Sequence, residues 1–315
     1  MPTLDRVRRR AAEDRHRQDP ALQAARLITW HRADAVLAAA VATAAATVIF
    51  GLLWELGAPL AAVVVAPPSV GGGVAWLLLH RPLRRRRIAA REFPAAWRRT
   101  LERYVRYYTA LRPDERARFE RDVAVFIDDA EITGINATVT DEVRVLIASS
   151  AVMLVFGRPG WEYTDLPEIL VYPAAFDEDY RCATRHEFVG RLVPRNAIVL
   201  SRPALIRSFR QEAPYHVGLH EFAHLLDLED DRFDGVPRGL DLATRRRWQG
   251  LVESELARAR RGDSVLDDYA RTNEVELFAV AVEWFFKAPR RLRARHRELY
   301  DSLAEYLGQE SAGAR

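Results

Sequence analysis

The chain is poor in two reactive side chains: Cys182 is its only cysteine and Lys287 its only lysine among 315 residues. A single cysteine cannot form an intrachain disulfide, and it cannot supply the several thiolates of a structural zinc site. Nothing in the sequence around Cys182 indicates an activated nucleophile, so we expect a structural cysteine. We therefore expect the reactive groups of this protein among its other side chains.

The excess of charge is also small, because 47 basic and 44 acidic residues leave a net charge of +3. For a chain of this length, that excess does not indicate nucleic acid as a partner. With 49% hydrophobic and 29% charged residues, the composition is neither that of a disordered chain nor that of a uniformly membrane-embedded one. The length allows one or two globular domains with sizeable cores.

Ionisable residues are nearly absent between residues 35 and 79, where Glu55 is the only one. This stretch is too long for one membrane crossing and suits two helices of roughly 20 residues each. A break near Glu55 predicts spans at Ala35–Trp54 and Leu56–Leu79. Pro67 and Pro68 predict a kink or a break in the second span, which leaves a re-entrant hairpin as an alternative.

Arginines flank this apolar stretch on both sides. Arg26 and Arg32 precede it, the run Arg84–Arg87 follows it, and the connecting turn has no basic residue. By the positive-inside rule, both flanks face the cytoplasm. We predict a basic cytoplasmic segment over residues 1–34, a transmembrane helical hairpin over residues 35–79, and a multi-pass protein of the cytoplasmic membrane. The alternative is a buried Ala-rich hairpin in a soluble, cytoplasmic protein.

The rest of the chain, over residues 88–305, predicts one α+β domain in which helices dominate and the sheet is small. Helical periodicity covers Phe93–Leu111 and Asp114–Asp129, and Thr140 before two acidic residues is typical of a helix start. The short β-branched runs Glu168–Tyr172 and Ala197–Ser201 predict strands.

The most informative segment is VGLHEFAHLLD, at residues 217–227. On a helix, the four-residue spacing of His220 and His224 places both imidazoles on one face, where they can hold one metal ion. Glu221 follows the first histidine, so its carboxylate can reach a metal-bound water without ligating the metal. This is the H-E-x-x-H arrangement of zinc hydrolases.

Two neighbouring residues have more than one interpretation. Asp227 lies three residues after His224, where its carboxylate could accept the free N–H of a ligating histidine. An ordinary aspartate at a helix end or on the surface is an equal alternative. His216, four residues before His220, lies near the expected helix start, so we predict a capping or surface histidine rather than a ligand.

A catalytic zinc needs a third protein ligand and an open position for water. The segment YARTNEVELFAVAVEWFF, at residues 269–286, predicts a helix that is capped at Thr272 or Asn273 and ends near Lys287. Glu276 lies in an apolar context on this helix and needs a partner if it is buried. Spacing alone does not separate Glu276 from Glu283 as the third ligand.

Both segments resemble those of the bacterial Mlc titration factor A family of zinc peptidases. The second also resembles the corresponding helix in the catalytic domain of anthrax lethal factor. The resemblance implies a zincin-like fold, Zn2+ as cofactor, Glu276 as the third ligand and Tyr269 as a residue that stabilises the oxyanion. The hydrophobic N-terminal region departs from the better-known members of that family, which are soluble.

The sequence therefore predicts a zinc peptidase that acts on a peptide or protein substrate, held at the membrane with its catalytic domain in the cytoplasm. Glu221 and Tyr269 would be catalytic, and His220, His224 and Glu276 would hold the metal. The alternative is a non-catalytic zinc-binding regulator. It is suggested by the name of the family that the chain resembles, which refers to the titration of a transcription repressor. Such a regulator would sequester a repressor or another protein partner.

Overall fold

A computed structural model describes residues 32–158, 161, 163, 166–173, 197–227 and 234–311 of the chain. Residues 1–31 and Cys182, for which we predicted a basic segment and a structural cysteine, lie outside this range. The chain divides into two compact units, of which the first ends at Glu92 and the second begins at Phe93.

The first unit is a hairpin of two long helices, α1 (Arg32–Glu55) and α2 (Leu60–Ala89). The turn between them includes Gly57, which adopts a φ of +64° that favours glycine. Helix α2 continues through Pro67 and Pro68, so the predicted break is wrong. The helix extends past Leu79, the end of the predicted span, to Ala89.

The two helices of the hairpin pack through small side chains. Ala38 and Ala42 of α1 are buried, and so are Val63 and Pro67 of α2. One turn beyond Pro67, a Cβ at Gly71 would lie 3.1 Å from the Ala42 carbonyl oxygen, so the backbones approach closely there. Such small residues are typical of helix pairs within membranes. By length and composition, Val36–Glu55 and Leu60–Ala89 are long and apolar enough to cross one.

The second unit is rich in helices. They are α3 (Ala95–Tyr104), α4 (Arg106–Thr109), α5 (Pro113–Asp129), α6 (Asp141–Val155), α7 (Arg202–Arg210), α8 (Val217–Asp227), α9 (Leu242–Arg260), α10 (Glu274–Lys287), α11 (Pro289–Arg295) and α12 (Arg297–Leu307). A 3-10 turn, Asp268–Arg271, precedes α10. The predicted helix start at Thr140 is confirmed, because its side chain accepts a hydrogen bond from the N–H of Val143.

A small sheet accompanies the helices, as predicted. Its strands are β1 (Ile132–Gly134), β2 (Ile169–Tyr172) and β3 (Ile198–Ser201), in the order β1-β2-β3 with both pairs parallel. Strand β1 was not predicted, because three residues that end in glycine give no alternating pattern. The two predicted strands are present within one residue of their expected bounds.

Helix α8 lies between α6 and α10 in this unit. Most residues of α6 are buried, so this helix forms the apolar support for its neighbours. The approach of α8 to α6 is very close at Gly218, where a Cβ would lie 2.2 Å from Ser150 Oγ. The other side of α8 faces α10, and this pair carries the candidate site.

Candidate metal centre

Helix α8 begins at Val217 because the preceding segment satisfies its first N–H groups. The Nδ1 atom of His216 accepts a hydrogen bond from the N–H of Leu219, and Ser208 Oγ accepts one from the N–H of Val217. The predicted capping role of His216 is thus confirmed. The alternative of a surface histidine is wrong, because His216 is 1% exposed.

Helix α10 begins in a similar way, with Asn273 as its cap. The side chain of Asn273 accepts a hydrogen bond of 2.9 Å from the N–H of Glu276, which fixes Glu276 in the first turn of the helix. Just upstream, the Asp267 carboxylate accepts a hydrogen bond from the N–H of Tyr269 and so caps the 3-10 turn. Local capping therefore fixes the backbone at both Glu276 and Tyr269.

Three predicted ligands converge between α8 and α10. Oε2 of Glu276 lies 3.1 Å from Nε2 of His220 and 3.8 Å from Nε2 of His224. One ligating atom from each residue lies within 4.8 Å of the others. His220 and Glu276 are buried, whereas His224 is partly exposed. The structure thus brings together residues that are separated by more than fifty positions in the sequence.

The residues present fit a divalent metal ion. Oε2 of Glu276 is buried and makes no hydrogen bond, although a ring nitrogen lies 3.1 Å away. Such an arrangement is unfavourable unless another partner satisfies the oxygen. In tetrahedral coordination at about 2.1 Å, neighbouring donor atoms lie about 3.4 Å apart. The observed separations are close to that value, and two imidazoles with one carboxylate are a donor set that zinc commonly has in hydrolases.

A second carboxylate lies behind His220. Oε1 of Glu283 accepts a hydrogen bond from Nδ1 of His220 at 2.8 Å, on the side of the ring away from Glu276. In the neutral ring, the proton on Nδ1 is donated to Glu283 and the lone pair on Nε2 is left for a metal. The sequence indicated Glu283 only as an alternative ligand. Its spacing of seven residues from Glu276, which returns to the same helix face, was the available signal.

Glu221 and Tyr269 lie at the same small cavity as His220 and Glu283. The ring centroid of Tyr269 is 5.7 Å from that of His220. Both Glu221 and Tyr269 are partly exposed, so each can meet a molecule that enters from solvent. The structure therefore places both predicted catalytic residues beside His220.

Asp227, at the end of α8, lies in a different environment. It is fully buried beside the backbone of residues 234–236. Burial raises the pKa of its carboxyl to about 7, against the opposing effect of those backbone N–H groups. Its predicted hydrogen bond to a ligating histidine stays a prediction.

The charges of the site favour a cation. Burial opposes protonation of His220, but the contacts with Glu276 and Glu283 outweigh burial and raise the pKa of the ring. Burial also disfavours the charge of Glu276, yet the two histidines hold the pKa of its carboxyl below the usual value. Glu276 is therefore ionised at neutral pH, and its buried negative charge favours a positive ion between α8 and α10.

A family model for the glucose-regulated metallo-peptidase M90 family matches residues 80–307, which is most of the chain. The chain belongs to this family. The M90 match includes the whole of α8 and α10, and therefore all the residues of the candidate metal centre.

Named relatives agree with the M90 assignment. An uncharacterized protein of Synechocystis sp. is 30% identical over 245 residues, which cover 71% of this chain and 87% of that protein. Proteins named Mlc titration factor A are also similar, which confirms the resemblance noted in the sequence. The one from Escherichia fergusonii is 26% identical over 64% of this chain and 81% of its own length. The one from Cronobacter sakazakii is 26% identical over 59% and 76%.

Proposed function

We propose that this chain is a zinc-dependent peptidase with a zincin-like catalytic domain. The observation that carries the proposal is the convergence of His220, His224 and Glu276, with Glu221 and Tyr269 at the adjoining cavity. Membership of a metallopeptidase family supports a metal-dependent hydrolase in general. Zinc is the metal that this donor set favours.

In this proposal, His220, His224 and Glu276 hold Zn2+. When bound, zinc polarises the substrate carbonyl and lowers the pKa of water from about 16 towards 7. Glu221 accepts the proton of the attacking water and passes it to the leaving amine. The hydroxyl of Tyr269 donates a hydrogen bond to the oxyanion that develops on the carbonyl oxygen.

Metal analysis of the full-length chain in detergent micelles tests the ligand set. We expect one zinc per chain in the wild type, none in Glu276→Ala, and a reduced content in Glu283→Ala. Glu283→Ala should bind zinc more weakly because His220 loses the acceptor for its Nδ1 proton. Loss of zinc from Glu283→Ala with full zinc in Glu276→Ala would contradict the assignment of Glu276.

Hydrolysis of a peptide library by Glu221→Gln tests the reaction. Because glutamine cannot accept the proton, we expect kcat to fall by about 100-fold to 10,000-fold while the zinc content stays that of the wild type. Wild-type kcat in this variant would remove Glu221 from the mechanism.

We further propose that the hairpin of α1 and α2 spans the cytoplasmic membrane and holds the catalytic domain on the cytoplasmic side. Large apolar side chains cover the outside of this hairpin, among them Leu60, Val64 and Trp76, each more than 60% exposed. The apolar length and the flanking arginines support the same topology.

A second candidate function is sequestration of a protein partner. The name of the relatives, Mlc titration factor A, favours it, and a transcription repressor would be such a partner. The two functions separate at Glu221→Gln, which should lower kcat by the factor given above and leave partner binding intact. If Glu221→Gln retains every effect of the wild type in cells, the regulator is the better description.

A further inference from the structure

Glu283 is among the most deeply buried carboxylates in the described part of the chain, with 2% of its side chain exposed. It lies on the face of α10 that packs against α8, two turns after Glu276. A carboxylate in such a place is unfavourable unless both of its oxygens have hydrogen-bond donors. Both donors come from α8 and the residue that precedes it.

The two oxygens of Glu283 have different partners. Oε1 accepts the Nδ1 proton of His220 at 2.8 Å. Oε2 accepts a hydrogen bond from the backbone N–H of His216. One carboxylate thus connects a candidate metal ligand to the residue that caps the helix on which this ligand lies.

This arrangement is a capping box divided between two helices. In a capping box, the cap side chain accepts a hydrogen bond from the third helical N–H, and a glutamate at that third position accepts one from the N–H of the cap. The Nδ1 atom of His216 accepts from the N–H of Leu219, as the motif requires. Leucine at the third position cannot return the bond, and Glu283 from α10 accepts it instead.

We propose that Glu283 is a positioning residue that sets the metal affinity of the site, given the metal centre proposed above. By accepting the Nδ1 proton of His220, it fixes the ring with Nε2 turned towards Glu276. By holding the N–H of His216, it keeps the first turn of α8 against α10. Metal binding then requires no rearrangement of either helix. Loss of such an outer carboxylate typically weakens metal binding by about 10-fold to 100-fold.

The dissociation constant of Zn2+ tests this role, measured by chelator competition on the full-length chain in detergent micelles. Glu283→Gln keeps the shape of the side chain but supplies only one acceptor oxygen for two donors. We expect its Zn2+ dissociation constant to rise by about 10-fold to 100-fold. We also expect faster amide hydrogen exchange at residues 216–219 of the zinc-free chain, because the first turn of α8 loses a hydrogen bond.

Lys287→Met is the matched control, since Lys287 lies one turn further along α10. Its Nζ donates hydrogen bonds to the carbonyl oxygens of Ser208 and Gln211, at 2.7 and 2.6 Å, and both of these residues precede α8. We expect this variant to unfold at a lower temperature with an unchanged Zn2+ dissociation constant. An equal loss of zinc affinity in Lys287→Met and Glu283→Gln would overturn the proposal, because general loosening of α10 would then explain both.

Other outcomes are equally decisive. A wild-type dissociation constant in Glu283→Gln overturns the positioning role. If that variant does not fold, Glu283→Asp keeps the charge with a shorter reach, and wild-type zinc affinity in it would also overturn the role. Failure of the wild type itself to bind Zn2+ would instead refute the proposed function, so the two failures are distinguishable.

Discussion

Gly218 shows how much a single position contributes to the site. It lies two residues before His220, where an added Cβ would be 2.2 Å from Ser150 Oγ and 2.8 Å from Ser150 Cβ. No Cβ tolerates such distances, so α8 can lie this close to α6 only if the residue is glycine. The H-E-x-x-H pattern does not include this position, yet the placement of its first histidine depends on it.

We predict that Gly218→Ala lowers the free energy of unfolding by about 1–3 kcal/mol, as overpacking of a core usually does. Urea unfolding measures the change. Gly250→Ala in α9 is the control, because a Cβ there has nothing within 4 Å. We expect that substitution to stabilise the chain slightly, since alanine favours helix over glycine by up to about 1 kcal/mol. Equal stabilities of the two variants would contradict the close approach.

The role proposed for Tyr269 depends on its hydroxyl group. We predict that Tyr269→Phe lowers kcat by about 100-fold to 1,000-fold, or roughly 3–4 kcal/mol of barrier, because the oxyanion loses a donor. The zinc content and the Michaelis constant should change little. Steady-state kinetics on a cleaved peptide measure the effect. Tyr163→Phe is the control, because the Tyr163 hydroxyl donates to the carbonyl oxygen of Ala151, away from the site.

At helices α3 and α4, the sequence periodicity correctly predicts helix but does not predict that the helix is broken in two. The sequence predicted one helix over Phe93–Leu111, but the chain leaves helical geometry at Val105, with φ −99° and ψ 86°. The bend turns Tyr108 inward, and its hydroxyl donates a 2.7 Å hydrogen bond to Glu120 of α5. This contact joins two helices, so the sequence pattern within one of them does not predict the break.

The same glutamate joins three helices. Arg98 of α3 donates two hydrogen bonds to the Glu120 carboxylate, at 2.7 and 2.9 Å. We predict that Glu120→Gln lowers the free energy of unfolding at pH 7 by about 2 kcal/mol, since the charged pair is lost and part of Arg98 remains in solvent. Chemical denaturation measures the difference.

The difference in the free energy of unfolding between the wild type and Glu120→Gln should become smaller as the pH falls. Burial raises the pKa of Glu120, but the hydrogen bonds from Arg98 and Tyr108 outweigh burial and hold it below its usual value. Its stabilising contribution is therefore present above about pH 4.3 and is lost as the pH falls through the folded-state pKa. The wild type and Glu120→Gln should converge in acid. A difference that grows as the pH falls would contradict the assignment.

Taken as a whole, the chain combines an apolar hairpin with a metallopeptidase unit. We predict that Ala58→Cys, in the turn after Glu55, reacts with a membrane-impermeant maleimide in intact cells, because the turn would lie outside the cytoplasm. Cys182, the only natural cysteine, should react only after lysis. Labelling of the Ala58→Cys variant only after lysis would contradict a spanning hairpin.

The arginine run at the end of α2 supplies the control for this topology. Replacing Arg84–Arg87 with glutamine removes most of the positive charge on one flank. We expect a fraction of these molecules to invert, which would lower the labelling of Ala58→Cys. Replacement with lysine should leave the labelling unchanged, because the charge is kept.

The sequence alone indicated the two histidines of the candidate metal centre. A spacing of four residues puts His220 and His224 on one helix face because the helical repeat is fixed, and an apolar stretch of membrane-spanning length indicates a hairpin whatever follows it. Capping residues marked the starts of α6 and α10, because a cap side chain accepts a hydrogen bond from an N–H group only one turn further along the sequence.

Only the tertiary structure decided which distant carboxylate faces which nitrogen. Glu276 and Glu283 share one face of α10, so periodicity does not separate them. The packing of α10 on α8 distinguishes the two glutamates, because it places Glu276 at Nε2 of His220 and Glu283 at Nδ1. Contacts between distant segments depend on how whole side-chain surfaces fit together, and no local pattern contains that information.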